Sequence, residues 1–160
     1  MRISPAIKGL ITAVLMIAVI LSIYYSGKNA DPRLQYLVYI FYALGISWAL
    51  IDYRRSSSYT GKFGDIFSQG FKCFVIVTLI MAIFYGIFNY QHPEFAEEIA
   101  KTYKEQLIKE NQKTPPEIES IIVSFKKQYT LKLVSRAIFG YLIIGAGVTA
   151  AVSALLTRRK

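Results

Sequence analysis

Apolar residues gather into four runs along this 160-residue chain, at residues 9–25, 34–51, 73–88 and 133–156. Each approaches the roughly 17–25 residues that an α-helix needs to cross a hydrocarbon core about 30 Å thick. No Asp or Glu interrupts any of them. The pattern predicts an all-α integral membrane protein, a four-helix bundle forming one membrane domain over residues 1–160. Tyrosines and the single tryptophan fall where headgroups would meet ring edges: Tyr24, Tyr25, Tyr36, Tyr39, Tyr85 and Tyr90 mark one interface, Trp48 and Tyr53 the other.

Two polar stretches interrupt the runs. Residues 52–72 combine Arg54, Arg55, Lys62 and Lys72 with Phe63, Phe67 and Phe71, which recur every four residues. A helical turn there would aim the three rings into the acyl boundary while the cations reach phosphates, so these seven residues are the expected contacts for anionic lipid or a protein partner. Residues 91–132 read as a helical hairpin between the third and fourth spans. In its first helix Phe95, Ile99, Tyr103 and Leu107 recur every four residues. Thr114, Pro115 and Glu117 then spell a capping box for a second helix, whose stripe is Ile118, Ile121, Ile122, Phe125 and Tyr129. Lys132 and Arg136 follow one turn apart, where snorkelling to headgroups accounts for both.

Charge then orients the chain. With both ends in the cytoplasm, the inner side holds Arg2, Lys8, Arg54, Arg55, Lys62, Lys72, Arg158, Arg159 and Lys160 against Asp52 and Asp65. The outer side has Lys28, Asp31 and Arg33 in its short loop, while seven lysines balance seven glutamates in the long one. The excess of Lys and Arg favours N-in, C-in, which makes 52–72 cytoplasmic and the hairpin extracytoplasmic. The bulky and charged residues after the first run offer no clean signal-peptidase site, so the first helix is expected to be retained.

Small residues four apart suggest where spans touch: Gly45 with Ala49, Ala82 with Gly86, and Gly147 with Ala151.

Composition, at 54% apolar, fits a small bundle with polar loops. One cysteine (Cys73) rules out an intrachain disulfide, and one histidine (His92) leaves too few ligands for ordinary zinc, copper or iron sites. Neither the His92-Pro93-Glu94 triplet nor Lys72-Cys73 has a second group converging on it in the sequence. The first reads as a helix start and the second as packing. No catalytic residue, cofactor, metal or nucleic-acid partner is expected, and the chain is expected not to be an enzyme.

The order of three spans, a Phe67-Ser-Gln-Gly-Phe-Lys72 entry to the third, a Glu/Lys-rich helical pair, a fourth span and a basic tail resembles the bacterial membrane family called domain of unknown function 4199. The resemblance runs from about residue 9 to 160. It implies a four-helix protein of the bacterial inner membrane with no catalytic residues to carry over, and a polyprenyl-phosphate glycosyltransferase as a membrane partner. Two functions follow as expectations: an accessory or scaffold subunit of an envelope complex, or a small oligomeric transporter, channel or lipid flippase. The few polar residues within the spans, Ser47, Thr78, Thr149 and Ser153, favour the first.

Overall fold

The computed structural model describes residues 3–27 and 32–158. Arg2, Lys28, Asp31, Arg159 and Lys160, which enter the orientation argument, lie outside the described residues, as does the side chain of Arg158. Five helices follow one another: α1 (Pro5–Tyr25), α2 (Pro32–Arg54), α3 (Phe63–Gln91), α4 (Glu94–Glu110) and α5 (Pro115–Arg158). No strand occurs among the described residues. α1, α2, α3 and α5 are long and apolar enough to cross a membrane, which makes this a multi-pass membrane protein.

Local chemistry sets the ends. The Ser4 hydroxyl accepts from the Ile7 amide at 3.3 Å and Pro5 fills the first position of α1, so two of the amides orphaned at a helix start are accounted for. Gly27, at φ +67°, turns the chain out beyond the far end of α1. Gly61, at φ +77°, precedes α3, where the Thr60 hydroxyl bonds the Asp65 carboxylate and the Lys62 amide donates to Thr60 Oγ1 at 3.3 Å. Nothing after that point breaks the helix until His92 and Pro93. Phe63, Phe67, Phe71 and Lys72 therefore belong to the first turns of α3 itself. With α2 running to Arg54, the non-helical part of the expected 52–72 loop shrinks to residues 55–62.

The chain forms two compact units, residues 1–81 with 138–160, and residues 82–137. In the first, side chains such as Met16, Tyr42, Ile46, Ile66, Val77 and Met81 are buried, and glycine sets how close the helices come. A Cβ on Gly9 of α1 would sit 2.6 Å from the Cys73 carbonyl oxygen of α3. One on Gly45 of α2 would collide with Thr12 of α1; one on Gly70 of α3 with Thr149 of α5; one on Gly145 of α5 with the Tyr42 hydroxyl and the Phe74 ring. Each apolar helix thus contributes one glycine at which a neighbour packs against bare backbone.

In the second unit, α4 and the start of α5 share a cluster of Ala100, Leu107, Ile118 and Ile122, with Tyr103, Ile121 and Phe125 packed on it. Ile99 of the expected four-residue stripe is exposed instead. Each four-residue step overshoots a helical turn by about 40°, so strict spacing by four drifts off a face that mixed three- and four-residue steps, as in Ala100, Tyr103 and Leu107, keep. Glu94 and Glu97 in the first turn of α4 and Lys109 in its last complement the helix dipole, and Asn111, at φ 49°, ends it in the left-handed conformation.

Candidate functional site

The largely apolar interior of the first unit holds a small set of buried polar groups. Lys8, the fourth residue of α1, has only 4% of its side chain exposed. Its ammonium pairs with Asp52 near the end of α2 and lies 5.5 Å from the centre of the Trp48 ring, one turn earlier on that helix. Thr12 occupies the next turn of α1 and donates its hydroxyl to the Lys8 carbonyl at 2.8 Å. A charge removed from water in this way needs a close counter-ion, and the aromatic face covers a second side of the ammonium.

Further along the bundle, the buried Tyr42 hydroxyl of α2 donates to the Tyr141 carbonyl of α5 at 2.9 Å, and the two rings meet edge to face at 5.3 Å. Thr78 donates to the Phe74 carbonyl one turn back, and Thr157 to that of Ser153, both at 2.8 Å. Thr149 and Ser153, one turn apart on α5, are fully buried yet their hydroxyls have no hydrogen-bond partner among the described residues. Two unpaired buried hydroxyls one turn apart on one helix call for a physical reason.

The residues singled out from the sequence lie elsewhere. Arg55, Lys62, Phe63, Phe71 and Lys72 are exposed, while Arg54 and Phe67 are half-buried. Phe67 stacks on Phe63 at 5.9 Å, and Tyr53 closes the short turn by donating its hydroxyl to the Ser58 carbonyl at 3.1 Å. Gly45 and Ala49 are buried. Gly147 and Ala151 face outward, and nothing lies within 4 Å of where a Gly147 Cβ would be. The inward glycine of α5 is Gly145, two residues and so about 200° away around the helix. Ala82 is half-buried, and a Cβ on Gly86 would touch only Val134, at 3.9 Å.

Cys73 is a buried free thiol. His92 Nδ1 lies 2.6 Å from Glu94 Oε1 at the exposed start of α4. The Glu94 carboxyl is held below the usual carboxylate range, first by its own backbone amide and then by His92. The triplet thus fastens the α3-to-α4 turn. No group of three His, Cys, Asp or Glu among the described residues could hold a metal ion.

The family model described as Protein of unknown function (DUF4199) matches residues 8–159. The chain belongs to this family. No curated protein and no solved structure matches it significantly. The DUF4199 description carries no activity.

The Lys8–Asp52 pair escaped the sequence reading because both residues flank apolar runs, where charge normally signals a water boundary. A usable signal did exist. Ser4-Pro5 starts α1 early enough to put Lys8 inside the helix, on the same face as Thr12.

Proposed function

We propose that this chain is a non-enzymatic accessory or scaffold subunit of an envelope complex in the bacterial inner membrane. Both termini lie in the cytoplasm, and α4 with the first part of α5 forms an extracytoplasmic helical hairpin. The observation that carries this reading is the second unit. It closes its own apolar cluster and presents Glu and Lys outward, a charged surface on which a partner of complementary charge can be steered and oriented. The basic turn and Phe63, Phe67, Phe71 and Lys72 would serve as the cytoplasmic contact, on anionic lipid and on a membrane partner of the polyprenyl-phosphate glycosyltransferase kind.

Tagged chain purified from its native membrane in mild detergent is expected to bring down a stoichiometric partner. Arg54→Ala with Arg55→Ala is expected to weaken that complex while circular dichroism shows the bundle still folded. Recovery of the chain alone, as monomer or homo-oligomer, would sink the reading.

A second reading, a small oligomeric transporter, channel or flippase, is favoured by polar groups in the interior: a part-buried ion pair and two hydroxyls within apolar helices that have no partner among the described residues. Substrate flux in proteoliposomes that is lost in Thr149→Val with Ser153→Ala would support it.

A further inference from the structure

The second unit carries a cleft of about 250 Å³ lined by Tyr103, Ser120, Ile121, Ser124, Phe125, Gln128 and Lys132. Its composition is graded. The Tyr103 and Phe125 rings, 5.3 Å apart and tilted 39°, form an aromatic wall. Ser120, Ser124, Gln128 and Lys132 follow at successive turns of α5, so two hydroxyls, an amide and an ammonium line one edge in that order. Ser120 donates to the Glu117 carbonyl at 2.9 Å, which leaves its oxygen free to accept. The side chains of Ser124, Gln128 and Lys132 make no hydrogen bond or ion pair among the described residues. The cationic end stands where α5 turns apolar, at residue 133, and Arg136, exposed and one turn further on, adds a second cation.

We infer that this cleft binds the headgroup of a membrane lipid that joins a phosphate to a hydroxyl-rich group. Each part of the cleft meets one part of such a headgroup. Lys132 and Arg136 sit at the depth of the phosphates, where each cation near an anionic surface strengthens attachment about fivefold. The hydroxyl and amide edge matches the alternating donors and acceptors of a polyol. The aromatic wall offers an apolar surface to the C–H face that a polyol or sugar also presents. A zwitterionic choline lipid supplies the phosphate but has no hydroxyls for the serine and glutamine edge. Snorkelling alone accounts for Lys132 and Arg136 but leaves the polar edge above them without a role. The inference stands apart from the accessory reading, since a lipid site serves a scaffold and a transporter alike.

The test uses the full chain in nanodiscs of phosphatidylcholine, with or without a minor fraction of phosphatidylglycerol or phosphatidylserine. A photo-crosslinking phenylalanine analogue replaces Ser124, and adducts are read by mass spectrometry. Phosphatidylglycerol is expected to be captured at least about fivefold over its share of the disc, ahead of phosphatidylserine. Lys132→Gln with Arg136→Gln should bring capture down to that share. Lys126→Gln with Lys127→Gln, which removes as much charge from outside the cleft, should leave it high. Circular dichroism that matches the parent establishes that each exposed-site variant is folded.

Capture of all three lipids in proportion to their abundance would overturn the inference, because it reports only nearness to the bilayer. Equal loss in the two lysine-bearing variants would overturn it as general charge attraction. Full protection by free glycerol phosphate would overturn the lipid source and make the site one for a soluble polyol phosphate. A crosslink to protein in place of lipid would overturn it altogether.

Discussion

The two units of this protein differ in what accompanies the apolar side chains inside them and in how much charge they carry outside. In the first, large apolar side chains such as Leu10, Val14, Ile40 and Leu44 point outward, while Lys8, Thr12, Thr149 and Ser153 are buried. In the second, Ala100, Leu107, Ile118 and Ile122 are the buried cluster and most of the charge faces out. In each case the solvent on the outside dictates what can go inside. Water drives an apolar cluster together by the hydrophobic effect, at about 25 cal/mol per Å² buried. Hydrocarbon supplies no such drive, so close backbone contact at Gly9, Gly45, Gly70 and Gly145 and polar bonds such as Tyr42 to Tyr141 must hold the helices.

That contrast can be broken most forcefully at the ion pair. Asp52→Ala leaves the Lys8 ammonium buried without its counter-ion. It is expected to cost about 3 kcal/mol, the lower end of the range for an orphaned buried charge because Asp52 itself is partly exposed. Lys8→Met combined with Asp52→Leu should recover most of that loss, and a double-mutant cycle of detergent-unfolding free energies measures both effects. No recovery would mean that the pair is not what the interior depends on.

Glycine comes next. Gly70→Ala and Gly45→Ala place a methyl against Thr149 and Thr12 and are expected to destabilise the first unit by about 1–3 kcal/mol. Gly147→Ala, on open helix surface, should be neutral or slightly stabilising through helix propensity. Thermal unfolding in one detergent ranks the three, and equal effects would refute the assignment of faces.

The smallest effect belongs to the second unit. Glu117 accepts from the Thr114 amide at 2.7 Å and its hydroxyl at 2.8 Å, and these bonds hold its carboxyl below the usual carboxylate range, the amide contributing most. A lowered folded-state value means that the contribution is complete above the ordinary glutamate pKa and is lost as pH falls through the lowered one. Helicity followed by circular dichroism on acidification should dip slightly across that interval. Glu117→Gln should remove this part of the dip.

What could be read from the sequence depended on how far apart the partners are. The Thr114–Glu117 box spans three residues and its chemistry is local, so the spelling alone identifies it. The four apolar runs are legible for a similar reason, since crossing hydrocarbon constrains every residue in the run. Lys8 and Asp52 are 44 positions apart, and nothing local distinguishes a lysine at a membrane edge from one folded inward. Between residues 140 and 154 small residues occur at Gly140, Gly145, Ala146, Gly147, Ala150, Ala151, Ser153 and Ala154, so several faces carry the residues of a contact face. Only the positions of Tyr42 and Phe74 select Gly145.

α5 runs for 44 residues without a break. Inheritance has to respect such a helix. A codon gained or lost between Tyr141 and Thr149 would advance everything downstream of it by about 1.5 Å and swing it through about 100°. Tyr141 and Thr149, both buried in the first unit, could not then both keep their present facing. Changes of length in descendants of this gene should therefore gather in short stretches such as residues 55–62, while the interval between Tyr141 and Thr149 keeps its count even where its letters drift.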